Sequence, residues 1–401
     1  MPVVARQIPC MNKDSWPPDL PLKSRPALEP IVAHGQHVMT VCNACRYCEQ
    51  YCPVFPAMEQ RLTFAAGDLN YLANLCHDCG ECLYACQYAP PHEFGIDVPR
   101  TLARIRLRSY EEYCWPRSLG AAFRSHGVLT ALALAAALTV LMFGAAWTMN
   151  ADALRRPDPG GDFYAVVPHA VMVTLFGAVG LFVLTALGAG LIRFWRDVPR
   201  GPVAPLSVES LGRALRDAVT LRHLHTTGVD CTSAEEVRTP WRRWFHHCTS
   251  CGFMLCFAST TVAAIYHGVF AWHAPYAYTS LPVVLGTTGG AGLLVGPAGL
   301  FILRRKRDPA LGDPAQEGLD ESFIALLFLT SLTGLLLLVL RDGPLMAPLL
   351  ILHLGIVLAL FLTLPYGKFV HGVYRTAALV KSAIERLEAS CRPAPPSRFA
   401  R

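Results

Sequence analysis

The sequence predicts an all-α protein in two parts, a soluble, cysteine-rich helical module followed by a six-helix transmembrane bundle. Three observations carry that expectation. Of 401 residues, 53% are hydrophobic and 16% charged, against about 25% charged in typical soluble domains. Eight of the 15 cysteines fall in two short runs between Cys42 and Cys86. Beyond residue 118 the chain turns apolar in stretches long enough to cross a bilayer, which takes about 20 residues at about 1.5 Å of rise each.

This balance excludes an ordinary soluble enzyme and a disordered chain. The net charge of +6 is carried by basic residues that flank the apolar stretches, so it reads as a topology signal and gives no reason to expect a nucleic-acid partner. Four parts follow in order. Residues 1–30 are a proline-rich lead-in, 31–118 the cysteine-rich module, 119–376 the membrane domain and 377–401 a basic tail. The first residues hold neither an apolar run behind basic residues nor a twin arginine, so the module is expected in the reducing cytoplasm with its thiols unpaired.

The six spans are expected at about 127–149, 165–192, 249–272, 281–303, 322–340 and 347–371. Arg117 and Arg124 precede the first, a long arginine-rich loop ending in Arg242 and Arg243 separates the second from the third, and Arg304, Arg305, Lys306 and Arg307 close the fourth. Only Arg155, Arg156 and Arg341 fall on the far side. Basic residues beside spans stay on the cytoplasmic face, which predicts a multi-pass protein of a bacterial inner membrane with both termini cytoplasmic. Six buried helices of a soluble core would not show such an alternation. The glycines of the fourth span, with Gly286 and Gly290, and Gly292 and Gly296, spaced four apart, suit close helix packing.

The cysteine runs read CNACRYCEQYCP (Cys42, Cys45, Cys48, Cys52) and CHDCGECLYAC (Cys76, Cys79, Cys82, Cys86). Both repeat C-x2-C-x2-C-x3-C, the bacterial ferredoxin spacing, in which three thiolates wrap one cubane and the fourth reaches the other. Cys42, Cys45, Cys48 and Cys86 are expected to hold one [4Fe-4S] cluster, and Cys76, Cys79, Cys82 and Cys52 the second. A zinc site would leave the third and fourth cysteines of each run without a role. The intervening RLTFAAGDLNYLANL has helical character, so the module is expected to be a helical ferredoxin-type fold. Cys248, Cys251 and Cys256 begin the third span and read as packing residues.

Histidines in membrane helices need an account. His353 and His371 bound the expected sixth span, about five turns and about 27 Å apart on one face. The third span offers the His246 and His247 doublet at one end and His267 at the other. Because the two spans are antiparallel, the doublet lies at the depth of His371 and His267 at that of His353, which predicts one or two bis-histidine haem b sites in a cytochrome b-like bundle. Helical phase favours His246 over His247. His169 is an alternative ligand at the outer site. No flavin loop, P-loop, metalloprotease motif or nucleophile elbow is present, so electrons from an organic substrate must come from a separate dehydrogenase.

The segments CNACRYCEQYCP, CHDCGECLYACQYAPPHEFGIDVPRTLARIR, RRWFHHCTSCGFMLCFASTTVAAIYH and SLPVVLGTTGGAGLLVGPAGL together resemble the tricarballylate (citrate) utilisation protein B, or TcuB, family, from about residue 35 to 385. The resemblance implies a membrane-bound iron-sulfur and haem electron carrier. Its partner would be an FAD-dependent tricarballylate dehydrogenase, whose reduced flavin it reoxidises, and its acceptor the quinone pool. The sixth span, with a proline before its second histidine, also resembles the haem helix of the nitrate reductase γ subunit. A second reading is a redox protein of cobalamin biosynthesis or of redox sensing using the same clusters and haem. A transporter would need polar or broken helices at the midplane, of which spans four to six show little.

Overall fold

The computed structural model describes residues 28–120, 126–155, 161–198, 207–224 and 240–391. The expected lead-in lies almost wholly outside these residues, as do Cys10 and Cys231. The described residues are helical, with no β-strand among them.

The module is built from α1 (Leu28–Cys45), α2 (Val54–Glu59), α3 (Ala66–Leu75), α4 (Glu81–Tyr84) and α5 (Val98–Tyr113). Helix α5 starts cleanly because the Asp97 carboxylate accepts from the Arg100 amide at 3.0 Å and Pro99 occupies the first turn, where its missing N–H costs nothing. At the start of α3, the Asp68 carboxylate accepts from the amide of Ala65 at 3.0 Å. Helices α1, α3 and α5 pack on one another and leave both cysteine runs in the loops and short helices at their ends.

The membrane bundle follows as α6 (Gly127–Arg155), a short α7 (Phe163–Val166), α8 (His169–Asp197), α10 (Trp241–Gly268), α11 (Leu281–Arg305), α12 (Glu317–Val339) and α13 (Met346–Thr363), with amphipathic α9 (Val208–Val219) between α8 and α10. Among the described residues, six helices are long and apolar enough to cross a membrane. Helix α10 packs on α11, α11 on α12, α12 on α13 and α13 on α6, while α8 lies against α13. The α10–α11 contact is close because glycine faces backbone there. A Cβ on Gly289 would stand 2.8 Å from the Gly252 carbonyl oxygen, and one on Gly292 would stand 2.9 Å from that of Cys248.

The sixth span departs from expectation. It ends at Thr363 instead of reaching 371, because Pro365 has no N–H with which to continue the ladder. After a turn, a separate helix α14 (Val370–Cys391) begins, so His353 and His371 stand on different helices. Helix α14 also runs through position 377, where the tail was expected to start. It packs on α3, α8 and α9. One apolar core therefore joins Tyr71, Leu72 and Leu75 of α3 to Ala378 and Leu379 of α14 and Phe194 of α8.

Polar contacts fix the module to one end of the bundle. Asn70 donates to the Tyr113 hydroxyl at 2.8 Å and to Asp197 at 3.0 Å, and Tyr113 also donates to Asp197. Arg61 bridges Asp68 at 2.6 Å and Glu385 at 2.8 Å, and the Tyr71 hydroxyl donates to Glu385 at 3.0 Å. Arg104 pairs with Asp313 at 2.9 Å. These partners lie at the α8, α12 and α14 ends that carry the basic loops, so the cysteines and the basic ends share one side.

Candidate redox centre

Two small cavities in the module hold the eight motif cysteines. One is lined by Cys42, Cys45, Cys48 and Cys86, with Tyr47 and Tyr88. The other is lined by Cys52, Cys76, Cys79 and Cys82, with Tyr51 and Leu102, and Cys82 touches both. All eight are free thiols. Each nest thus gathers three cysteines of one run and the fourth of the other.

Burial dominates the chemistry of these thiols. It pushes Cys42 up to about 12, helped by the neighbouring thiols of Cys86, Cys48 and Cys45, and Cys79 up to about 12, helped by Cys76. Four thiols gathered in one small nest repel one another as thiolates unless a cationic body stands among them, so a polynuclear iron core matches the donor set. Among the described residues, no three His, Cys, Asp or Glu side chains converge tightly enough for a single metal ion. Cys256 packs against Gly289.

The loop between Cys76 and Cys79 forms a shared wall. His77 and Asp78 line the second nest and also a cavity of about 1180 Å³, roomier than the ~300–1,000 Å³ usual for a small-molecule pocket. The end of α8, with α9, α10, α11, α12 and α14, lines it. His246 and His371 face each other across it, ring centres 6.1 Å apart and planes at 84°. An imidazole nitrogen binds a first-row metal at about 2.0–2.1 Å, so two rings on one iron have centres roughly 6.3 Å apart. The observed spacing fits.

Protonation also fits. His371 Nδ1 lies 2.5 Å from the Lys368 carbonyl oxygen, which can only accept, so Nδ1 carries the proton and Nε2 keeps its lone pair. Burial, then the charges of Arg375 and Lys368, holds His371 well below the ordinary imidazole range and therefore neutral. His246 Nδ1 is buried with no hydrogen-bond partner. Arg242, Arg304, Arg307, Lys368 and Arg375 line the same cavity, opposed by Asp78 and Asp320. Lys368 pairs with Asp320 at 2.7 Å, and Arg304 pairs with its other oxygen. Such a wall suits a ligand with carboxylates on an otherwise apolar macrocycle.

Of the doublet, His246 lines the cavity and His247 does not. At the outer end His169, the alternative ligand, is the histidine beside His267. His267 stacks on His169 with ring centres 3.7 Å apart, and its Nδ1 lies 3.2 Å from Nδ1 of His273. His353 instead turns to α12, where its Nδ1 meets the Thr333 hydroxyl at 3.0 Å and its ring packs on Gly334. The physical reason is the bundle order: α11 and α12 stand in sequence between α10 and α13, so the two histidines face different neighbours.

Sequence reasoning treated Arg242 and Arg307 as topology markers, and both prove to be cavity residues that reach the cysteine loop. Arg242 donates to the Asp78 carbonyl at 2.8 Å, and Arg307 pairs with the Asp78 carboxylate at 2.8 Å. The signal that could have found Arg242 is its four-residue spacing from His246, repeated by His371 and Arg375.

Comparison with known proteins identifies the family. The profile of Citrate utilization protein B matches residues 124–392, and that of the Citrate utilization protein B Fer4-like domain matches residues 35–112. The chain belongs to the citrate utilization protein B family. The family's member in Escherichia coli, Citrate utilization protein B, is 51% identical over 355 residues, which is 88% of this chain and 92% of the relative. No solved structure matches. A Fer4-like domain joined to six apolar helices gives this family member an iron-sulfur electron-transfer role beside a membrane.

Proposed function

We propose that this protein reoxidises the reduced FAD of a partner tricarballylate dehydrogenase and delivers the electrons, through two [4Fe-4S] clusters and haem b, to the quinone pool of a bacterial inner membrane. Cys42, Cys45, Cys48 and Cys86 hold one cluster, Cys52, Cys76, Cys79 and Cys82 the other, and His246 and His371 hold the haem. When bound, these groups supply one-electron carriers between a two-electron donor and a two-electron acceptor.

The protein's own residues do the positioning. Arg304, Arg307 and Lys368 line the cavity and would supply positive charge toward the propionates of a bound haem, and the Lys368 carbonyl orients His371. Both termini and the module face the cytoplasm, in keeping with the basic residues at that end. The single observation that carries the reading is the shared wall: the His77–Asp78 backbone bounds both a thiol nest and the His246–His371 cavity.

The test is an absorption experiment on the purified protein mixed with its flavoprotein partner. Tricarballylate should develop the reduced b-haem bands, to the extent that dithionite does. Haem reduced by dithionite alone would show that the donor is another enzyme, and a protein lacking both cluster and haem absorption would overturn the whole assignment.

A further inference from the structure

Four arginines from separate elements converge on the backbone between Cys76 and Cys79. The Cys76 carbonyl accepts from Arg106 at 3.1 Å and from Arg375 at 2.7 Å. The His77 carbonyl accepts from Arg242 at 3.4 Å. The Asp78 carbonyl accepts from Arg242 at 2.8 Å and from Arg307 at 3.1 Å. Asp78 holds a left-handed conformation, φ 57°, which is uncommon for a non-glycine residue. In that geometry its N–H points at the Cys76 sulfur, 3.4 Å away. The His77–Asp78 peptide therefore accepts from Arg242 through its oxygen and donates its N–H to the Cys76 sulfur.

The other nest is more lightly served: the exposed Arg46 donates to the Asn43 carbonyl at 3.0 Å, and the Gln87 amide reaches the Cys45 sulfur at 3.9 Å. Neither nest's own lining holds an arginine or lysine, so the difference lies in the guanidinium groups gathered behind the Cys76–Cys79 loop. On the clasped side three carboxylates oppose the four guanidinium groups: Asp78, already paired with Arg307, Glu81 in the nest, and Asp320 across the large cavity, itself paired with Lys368 and Arg304.

We infer that this arginine clasp sets the reduction potential of the cluster held by Cys52, Cys76, Cys79 and Cys82 above that of the cluster held by Cys42, Cys45, Cys48 and Cys86, and so fixes the direction of the two-cluster relay. The inference rests on the two-cluster reading given above. Reduction adds one negative charge, which nearby cations and N–H groups aimed at sulfur stabilise, and a buried setting strengthens both effects. Arg106 is only 2% exposed. Each transfer moves one electron and neither makes nor breaks a bond. A reduced flavin supplies two electrons in succession and a quinone finally takes them.

The Cys42-side nest is then the donor side, and the clasped nest the membrane side. Two of the clasp residues also tie the nest to the histidine pair. Arg242 precedes His246, and Arg375 follows His371, by four residues, which is one helical turn. Arg106, Arg242, Arg307 and Arg375 are thus positioning residues that act through the loop backbone.

The test is an EPR-monitored redox titration of the full-length protein in detergent. Two cluster signals are expected, and Cys52→Ser should abolish or alter the one with the higher midpoint, Cys86→Ser the one with the lower. Arg242→Gln or Arg375→Gln should shift the equilibrium between the clusters about tenfold toward the Cys42 side, a fall of about 59 mV in one midpoint. Arg242→Lys should keep most of the wild-type value. The clasp proposal is overturned if Cys52→Ser removes the lower-potential signal, or if both glutamine variants keep both midpoints. Absence of two [4Fe-4S] signals from the iron-loaded wild type would instead overturn the two-cluster reading beneath it.

Discussion

His246 and His371 face each other across the cavity with ring centres 6.1 Å apart, one from the first turns of α10 and the other from the start of α14. Neither reaches the other by a hydrogen bond, yet the distance is that of two imidazoles on one iron. His246→Ala and His371→Ala should each abolish nearly all b-type absorbance. His247→Ala and His353→Ala should retain it, because His247 lies off the cavity and His353 is engaged by Thr333. Reduced-minus-oxidised spectra, normalised to protein, decide the matter. Full haem in His371→Ala would place the site elsewhere.

Cys52 shares a nest with Cys76, Cys79 and Cys82, although it is the last cysteine of the other run. Cys52→Ser should therefore damage only the cluster of the second run, because serine is a poorer ligand for iron than thiolate. Non-haem iron should fall from about eight to about four atoms per chain. Loss of the cluster of Cys42, Cys45 and Cys48 in this variant would show that each run binds its own cubane.

Much of this was legible in the sequence, for reasons that differ by element. The cysteine spacing is a local signal, so the two nests could be read without knowing how α1 and α5 pack. Span positions follow from hydropathy, which needs no tertiary information. The outer histidine pairing was not legible, because it depends on which helices neighbour which, and a phase argument along one helix assumes the helix continues. Pro365 breaks that assumption between His353 and His371. The role of Arg242 and Arg375 was hidden for another reason. Arginines at span ends serve topology as a rule, and only the folded loop shows their guanidinium groups on the Cys76, His77 and Asp78 carbonyls.

Gly289 marks where α10 and α11 touch. A Cβ there would stand 2.8 Å from the Gly252 carbonyl oxygen and 2.9 Å from the Cys256 amide nitrogen, both of them backbone atoms that cannot swing away. Gly289→Ala should force the helices apart and cost about 1–3 kcal/mol. Gly144→Ala, on α6 with open space around it, is the matched control and should be neutral or slightly stabilising. Thermal denaturation midpoints in detergent would separate the two. Equal midpoints would mean that the α10–α11 contact yields more readily than its backbone packing implies.

His34 supplies a pH dependence in the module. Burial, then the charges of His37 and Arg104, lowers its pKa from 6.5 to about 4. In the unfolded chain this imidazole takes its proton as pH falls through about 6.5, whereas in the folded module it stays neutral until about 4. The unfolded state binds more protons in that window, so the His34 contribution is fully present above about pH 6.5 and declines as pH falls toward 4. His34→Gln keeps a neutral polar side chain of similar reach and removes the titration. Denaturation midpoints followed from about pH 7.5 to about pH 4.5 should fall more steeply for the wild type than for His34→Gln. Parallel curves would show that the buried imidazole is protonated without cost, and hence that water reaches α1 at that position.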